Sequence, residues 1–575
     1  MMTARKLRST FGLALHLARL GSSGTSVASL ATTALLATSV VGCADENDPA
    51  TWVKRLDDAA QRPAAIKRIS EFFNDTLAKA NQNRDAPEVK ALLDKIAEPM
   101  TKQYTGTALD DKTRKELIKF LADTRDIRTA PALAKAFNEY DPGKNDEDVK
   151  YAAQAVGALA AGGKLTDQSL TDSLWNVFAK FQVSKAKSIN LVKDLHDAVL
   201  AAANPSYGPK AVEKLSASFD AKNEDAAKDH LQFWQLTAVQ VLGETKFAGG
   251  VKPLVRVLVN KDKQGLRPAV TAALMKMPVE SEAALIDALQ GNDPEVQKDA
   301  PLWGADKLHM GILADAIAWI SRPKGKDAII SALAAAPSDA ARTLLAQPLI
   351  RYSGDPKVVT AYTDAYKKLA PGVKIELLGN LFARPALAQA AASLYDPSLV
   401  DWLVKDAVGA KGDEAMSMQA LALESAIKLM NSSQTKTVGD AVKKLWSTKE
   451  QEVFTTAAKV VDECGAKADC YVKVLDEPVT GSAIAMMRPI KAAQMCAQMG
   501  DASTKQALVT KIDKMKDPGV RLAAVQAIDH LSPKGDPAAA EVLEKIVKGD
   551  QGKAGGAAND ALAKVALRLR ARALP

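Results

Sequence analysis

The chain has 575 residues, 47% of them hydrophobic and only 5% aromatic, with a formal net charge of +8. The apolar share is ample for a folded core, and its reliance on Ala and Leu beside many Lys and Glu favours helix over strand. Arg5, Lys6, Arg8 and Arg19 all precede the first acid, Asp45, so the chain beyond residue 42 falls to +4, too mild for a dedicated nucleic-acid binder.

Residues 28–41 are small and apolar, broken only by Ser and Thr, and follow a basic start. That is the layout of a secretory signal. The run is about 14 residues long, short of the roughly 20 needed to cross a bilayer as a helix. It ends in Val40-Val41-Gly42-Cys43, which resembles the lipobox of bacterial lipoproteins, with Val40 where the family prefers Leu. The resemblance implies cleavage before Cys43 and lipidation of that residue. A plain secretory signal and an uncleaved anchor are the alternatives. The organisation expected is a signal over 1–42, a lipidated Cys and short tether over 43–49, an irregular helical region over 50–246, and a more regular repeat region over 247–575.

Past the tether, helical pairs are expected at 129–140 with 146–160, 249–260 with 265–277, and 324–335 with 338–351. Further pairs are expected at 355–369 with 372–382 and at 397–408 with 413–430. The stretches 81–110 and 161–190 depart from this pattern. The dipeptide Asp-Pro recurs at Asp48, Asp141, Asp293, Asp355, Asp396, Asp517 and Asp536. An Asp N-cap followed by Pro in the first helical position is a helix-start device.

The clearest unit follows Asp517. Val520, Ala523, Ala524, Ala527, Ile528 and Leu531 fall on one helical stripe, with small Ala alternating with larger residues. This segment, Asp-Pro-x-Val-Arg-x-x-Ala-x-x-Ala-Ile, is similar to the second helix of a HEAT repeat. A helix over about 502–515 precedes it. Another opens at Asp536, and a last one carries Leu562, Val565, Ala566 and Leu569 inward. The basic end of that last helix, Arg568, Arg570 and Arg572, suits a helix dipole and reads as a solvated cap or as a contact for anionic partners. The resemblance implies an all-α, right-handed α-solenoid of stacked helical pairs, HEAT- or armadillo-like, and with it a binding surface rather than a catalytic fold.

Beyond Cys43 the cysteines are Cys464, Cys470 and Cys496. The six-residue spacing favours a Cys464–Cys470 disulfide between two adjoining helix ends, with free thiols as the rival. Two thiolates without a nearby His make a poor zinc set. Cys496 shares a face with Pro489, Ala492 and Ala493 and reads as core.

No Gly-x-Ser-x-Gly, His-Glu-x-x-His or phosphate-loop motif occurs. Outside the leader the histidines are His196, His230, His309 and His530, too scattered for a metal pair on one helix. His530 reads as a capping or surface residue, and His230 as a flank of the Phe233-Trp234 core. The tryptophans read as anchors between stacked helices. Met416, Met418, Met486, Met487, Met495 and Met499 read mostly as core filler. The function expected is a lipid-anchored envelope scaffold, outer-membrane and facing the periplasm or the surface, that binds a protein or peptide partner. No cofactor, metal or nucleic acid is implied. The alternatives are a cofactor-handling or lyase-like enzyme on a HEAT-like fold, which needs one indispensable side chain, and a purely structural spacer.

Overall fold

A computed structural model describes residues 45–183, 189–219, 225–305, 307–352, 355–382, 396–477, 484–549 and 556–575. Cys43 lies outside the described residues. Among the described residues every regular element is a helix. None is long and apolar enough to cross a membrane.

Helix starts follow the Asp-Pro device at six of its seven sites. Asp48, Asp293, Asp355, Asp396 and Asp517 each accept backbone N–H bonds at the first turn with Pro in the opening position. Asp536 accepts from the N–H of Ala539 and opens helix Pro537–Gly549. Asp141 differs. Pro142 and Gly143, the latter at φ +82°, turn the chain instead, and the next helix begins at Asp146.

The pairs run Ala130–Asn138 with Asp146–Ala161, Val251–Val259 with Arg267–Met275, and Pro323–Ala334 with Asp339–Leu349. They continue with Pro356–Lys368 beside Pro371–Phe382 and Pro397–Gly409 beside Ala415–Leu429. In the irregular stretches stand the long helix Pro87–Gly106, which tolerates Pro99 within it, and Gln168–Lys180 with Ile189–Ala202.

Most helices pack on a sequence neighbour and on the next but one, which is how stacked helical hairpins build a solenoid. Asp111–Thr124 lies on Asp146–Ala161, which lies on Ile189–Ala202, and His309–Ile320 lies on Asp339–Leu349. The chain is thus a HEAT-like α-solenoid. Small residues make the stacking close: Ala152, Ala153 and Ala155 are buried on one helix, Ala523, Ala524 and Ala527 on another. The apolar core passes unbroken through residues 246–247.

The C-terminal half does not stay open. Helix Gly556–Ala573 packs on Pro518–His530 and Pro537–Gly549, its neighbours, and also on His309–Ile320 and Arg267–Met275, far away in sequence. The solenoid therefore closes on itself. The helices at the centre of this closed half are buried nearly all round. In Met487–Met499 every side chain from Lys491 to Ala497 is buried.

Candidate functional site

A dense polar cluster lies where the solenoid closes, at the C-terminal ends of His309–Ile320, Asp339–Leu349, Pro518–His530 and Gly556–Ala573. A helix C-terminus leaves carbonyls without intrahelical partners and carries partial negative charge. Basic side chains meet both needs here. Arg322 Nη1 donates to the Ala571 and Leu574 carbonyls at 3.0 and 3.3 Å, and Nη2 to that of Pro575 at 2.8 Å. Its Nε donates to Glu282 Oε2 at 3.0 Å, and Glu282 Oε1 accepts from the Gly325 N–H at 2.9 Å. Arg572 Nη1 donates to the Asp529 and Ser532 carbonyls at 2.9 and 3.1 Å. The Tyr352 hydroxyl donates to the Ile317 carbonyl at 3.1 Å.

One buried carboxylate, Asp529, serves two arginines. Arg568 bonds its Oδ2, and Arg572 Nη2 lies 3.0 Å from its Oδ1. Arg351 pairs with Asp315 at 2.8 Å and lies 3.9 Å over the Trp319 ring, with Arg568 5.3 Å from the same ring. Burial draws Arg568 down to about 10, with Asp529 opposing and the nearby Arg572 and Arg351 adding to the shift. Gly535, at φ +81°, brings the chain so close to Leu569 and Ala573 that a β-carbon would clash with their backbone.

Within this cluster is a cavity of about 250 Å³, lined on one side by Lys326, Arg351, Tyr352 and Asp355 and on the other by Asp529, His530 and Arg572. Lys326 and Asp355 bond each other. The cavity's charges are thus held by partners and by helix ends, and the chemistry that results is structural capping. The sequence reading of Arg568 and Arg572 as solvated end caps is overturned: both side chains are buried, because the helix they end is covered on a second face. Arg570 alone points outward, to Glu544 at 2.7 Å.

His530, half-buried in the last turn of Pro518–His530, also lines the cavity. Burial pulls its imidazole down to about 4, with Asp529 opposing the shift and Arg572 adding to it. The remaining charged groups around it are Arg351, Lys326 and Asp355. A histidine depressed from about 6.5 stays neutral in the folded state while the unfolded chain takes up a proton. Its contribution is therefore present above pH 6.5 and lost as pH falls towards 4, by at most ~3 kcal/mol. Melting curves between pH 7 and 5 are expected to fall less steeply for His530→Gln than for the wild type. Parallel slopes would show that the ring does not titrate this way.

A second capping site lies across the closed half. Lys491, 1% exposed, donates from Nζ to the carbonyls of Ile427, Lys428 and Met430 at 3.0, 2.9 and 2.7 Å. Burial draws it down to about 7. Three acceptors match the three N–H donors of the ammonium form. Gln498 Nε2 donates to the neighbouring Leu429 carbonyl at 3.0 Å.

The other residues singled out by sequence stand apart from these sites. Cys464 and Cys470 are bonded, with Cα atoms 5.4 Å apart. Cys496 is a buried free thiol, pushed up to about 12 by burial. His196 contacts Asp197 and Gln240 at 3.0 and 2.7 Å, and His309 is buried at a helix start. The side chain of His230 lies outside the described residues. Among the described residues no group of three or more His, Cys, Asp or Glu is placed to hold a metal. Trp303 Nε1 reaches the Val259 carbonyl at 2.8 Å, an anchor between units. Met418 and Met495 are core, whereas Met416 is 82% exposed and fills nothing.

No protein-family model matches the chain, and no curated protein matches it. Among solved structures it is similar to the karyopherin Kap121p bound to the SUMO protease Ulp1p, at 10% identity and TM-score 0.36, over 90% of this chain and 68% of that one. It is also similar to importin beta in an ammonium sulfate condition, at 8% identity and TM-score 0.26, over 91% and 85% of the two chains.

Proposed function

We propose that the protein is a scaffold of the cell envelope, held to a membrane by a lipid on Cys43, that binds a protein or peptide partner along its stacked helices. The observation that carries the binding half is the use made of its buried polar groups. The clusters at Asp529, Glu282 and Lys491 satisfy helix ends and each other, leaving a long stacked-helix surface as the feature with reach. The Cys464–Cys470 bond fits an oxidising compartment.

The anchoring half rests on the Val40-Val41-Gly42-Cys43 quartet. Asp45 already accepts from the Asp48 N–H, and Trp52 Nε1 donates to the Glu46 carbonyl at 2.9 Å. Only Ala44 therefore separates the lipidated residue from the folded body, which would hold Asp45 within about 7 Å of the Cys43 backbone.

Cells fed a clickable fatty acid are expected to label the wild type and not Cys43→Ser. Equal labelling would remove the anchor. Partner capture from native membranes is expected to survive His309→Ala, and to fail when residues 501–531 are deleted. Loss of function on His309→Ala, with fold and abundance intact, would favour an enzyme, since one catalytic side chain can carry orders of magnitude in rate.

A further inference from the structure

The described residues form two apolar cores. One runs from Leu56 to Ala458 and the other from Val460 to Leu569, so the division falls inside helix Thr448–Cys464. Among the described apolar side chains past residue 460, only Leu567 packs on the first core. The stacking of inner helices is also interrupted here: Ala415–Leu429 does not lie on Thr448–Cys464 as its counterparts lie on theirs.

Polar contacts hold the two parts together instead. Arg322 of the first caps the end of Gly556–Ala573 in the second, and Lys491 of the second caps the end of Ala415–Leu429 in the first. Lys564 and Arg568 face Trp319 at 5.0 and 5.3 Å, and the cavity between Arg351 and Arg572 is shared. Such bonds exchange readily for bonds to water, each for a small net change, whereas an apolar core does not. Polar interfaces between cores of one chain permit relative motion, and the parts held by them open below the free energy of global unfolding.

From this arrangement we propose that residues 460–575 form a latch that detaches at the polar seam as a folded unit, pivoting on helix Thr448–Cys464, and so opens the closed solenoid. Opening uncovers the carbonyl ends of Ala415–Leu429 and Gly556–Ala573, which the closed form caps with Lys491 and Arg322. The latch does not depend on the scaffold reading or on a lipid at Cys43.

Spin labels test it in the full chain with Cys43→Ser and Cys496→Ala, placed through Lys324→Cys and Lys534→Cys. Both positions are exposed and adjoin Pro323 and Pro533, which line the shared cavity. Adding Lys491→Met is expected to lengthen the label distance by about one helix diameter, ~10 Å, with helix content kept. An unchanged distance in that folded variant would overturn the latch. The labelled chain without a seam variant gives a second readout that does not rely on Lys491→Met folding. In a urea titration the distance is expected to lengthen before helix is lost. Coincidence of the two transitions would mean a single cooperative unit and would also overturn the proposal.

Discussion

Ala524→Arg is expected to unfold the C-terminal units, at a cost of at least ~3 kcal/mol, because the new guanidinium would enter the core without a partner. Ala524 is 0% exposed, in the middle of a stripe flanked by Ala523, Ala527 and Ile528, all buried. Its neighbour Met487–Met499 packs directly on this helix, so there is no space for the longer side chain to leave. Arg521→Ala on the same helix is expected to cost about 1 kcal/mol or less, since Arg521 is partly exposed and its Nε bond to the Met515 carbonyl can pass to water. Urea melts of the two variants decide the matter. Equal, small losses would mean that the stripe is not a packing face.

The second large effect is expected at Asp529. Asp529→Asn keeps the shape and removes the carboxylate that both Arg568 and Arg572 bond. Two buried cations would then stand at the end of one helix without neutralisation, costing ~3–5 kcal/mol. Glu544→Gln provides the contrast. It breaks the pair with Arg570, which is nearly half exposed, and a pair of that kind is worth ~1 kcal/mol or less. Thermal melts are expected to separate the two variants clearly. If Asp529→Asn melts like the wild type, the cluster is solvated and the seam is not closed as described.

Both effects concern the last two units, and only one of them was legible beforehand. The burial of Ala524 is written in a local period: one apolar residue every three or four, after an Asp-Pro start. The burial of Arg568 and Arg572 is not. Their carboxylate partner is Asp529, on a neighbouring helix, and the second face of their own helix is covered by residues around Trp319 and Arg322, roughly half the described chain away. A signal was nevertheless present. Leu567 and Ala571 lie opposite the stripe of Leu562, Val565, Ala566 and Leu569 on a helical projection. A last helix apolar on two sides needs a second neighbour.

Local sequence by itself determined where helices begin, which faces they bury and hence that the chain stacks helical pairs, because capping and a 3.6-residue period act within a few residues of each other. It also placed Cys464 and Cys470 at adjoining helix ends. The failure of Asp141 to start a helix marks the limit of that reading. Pro142-Gly143 turns the chain there, a choice made over the next four residues. Tertiary structure alone decided that the solenoid closes, that the C-terminal arginines go inside, and that two cores meet across a polar seam. Closure depends on the small rotation between successive pairs summed over many units, and no short segment encodes that sum.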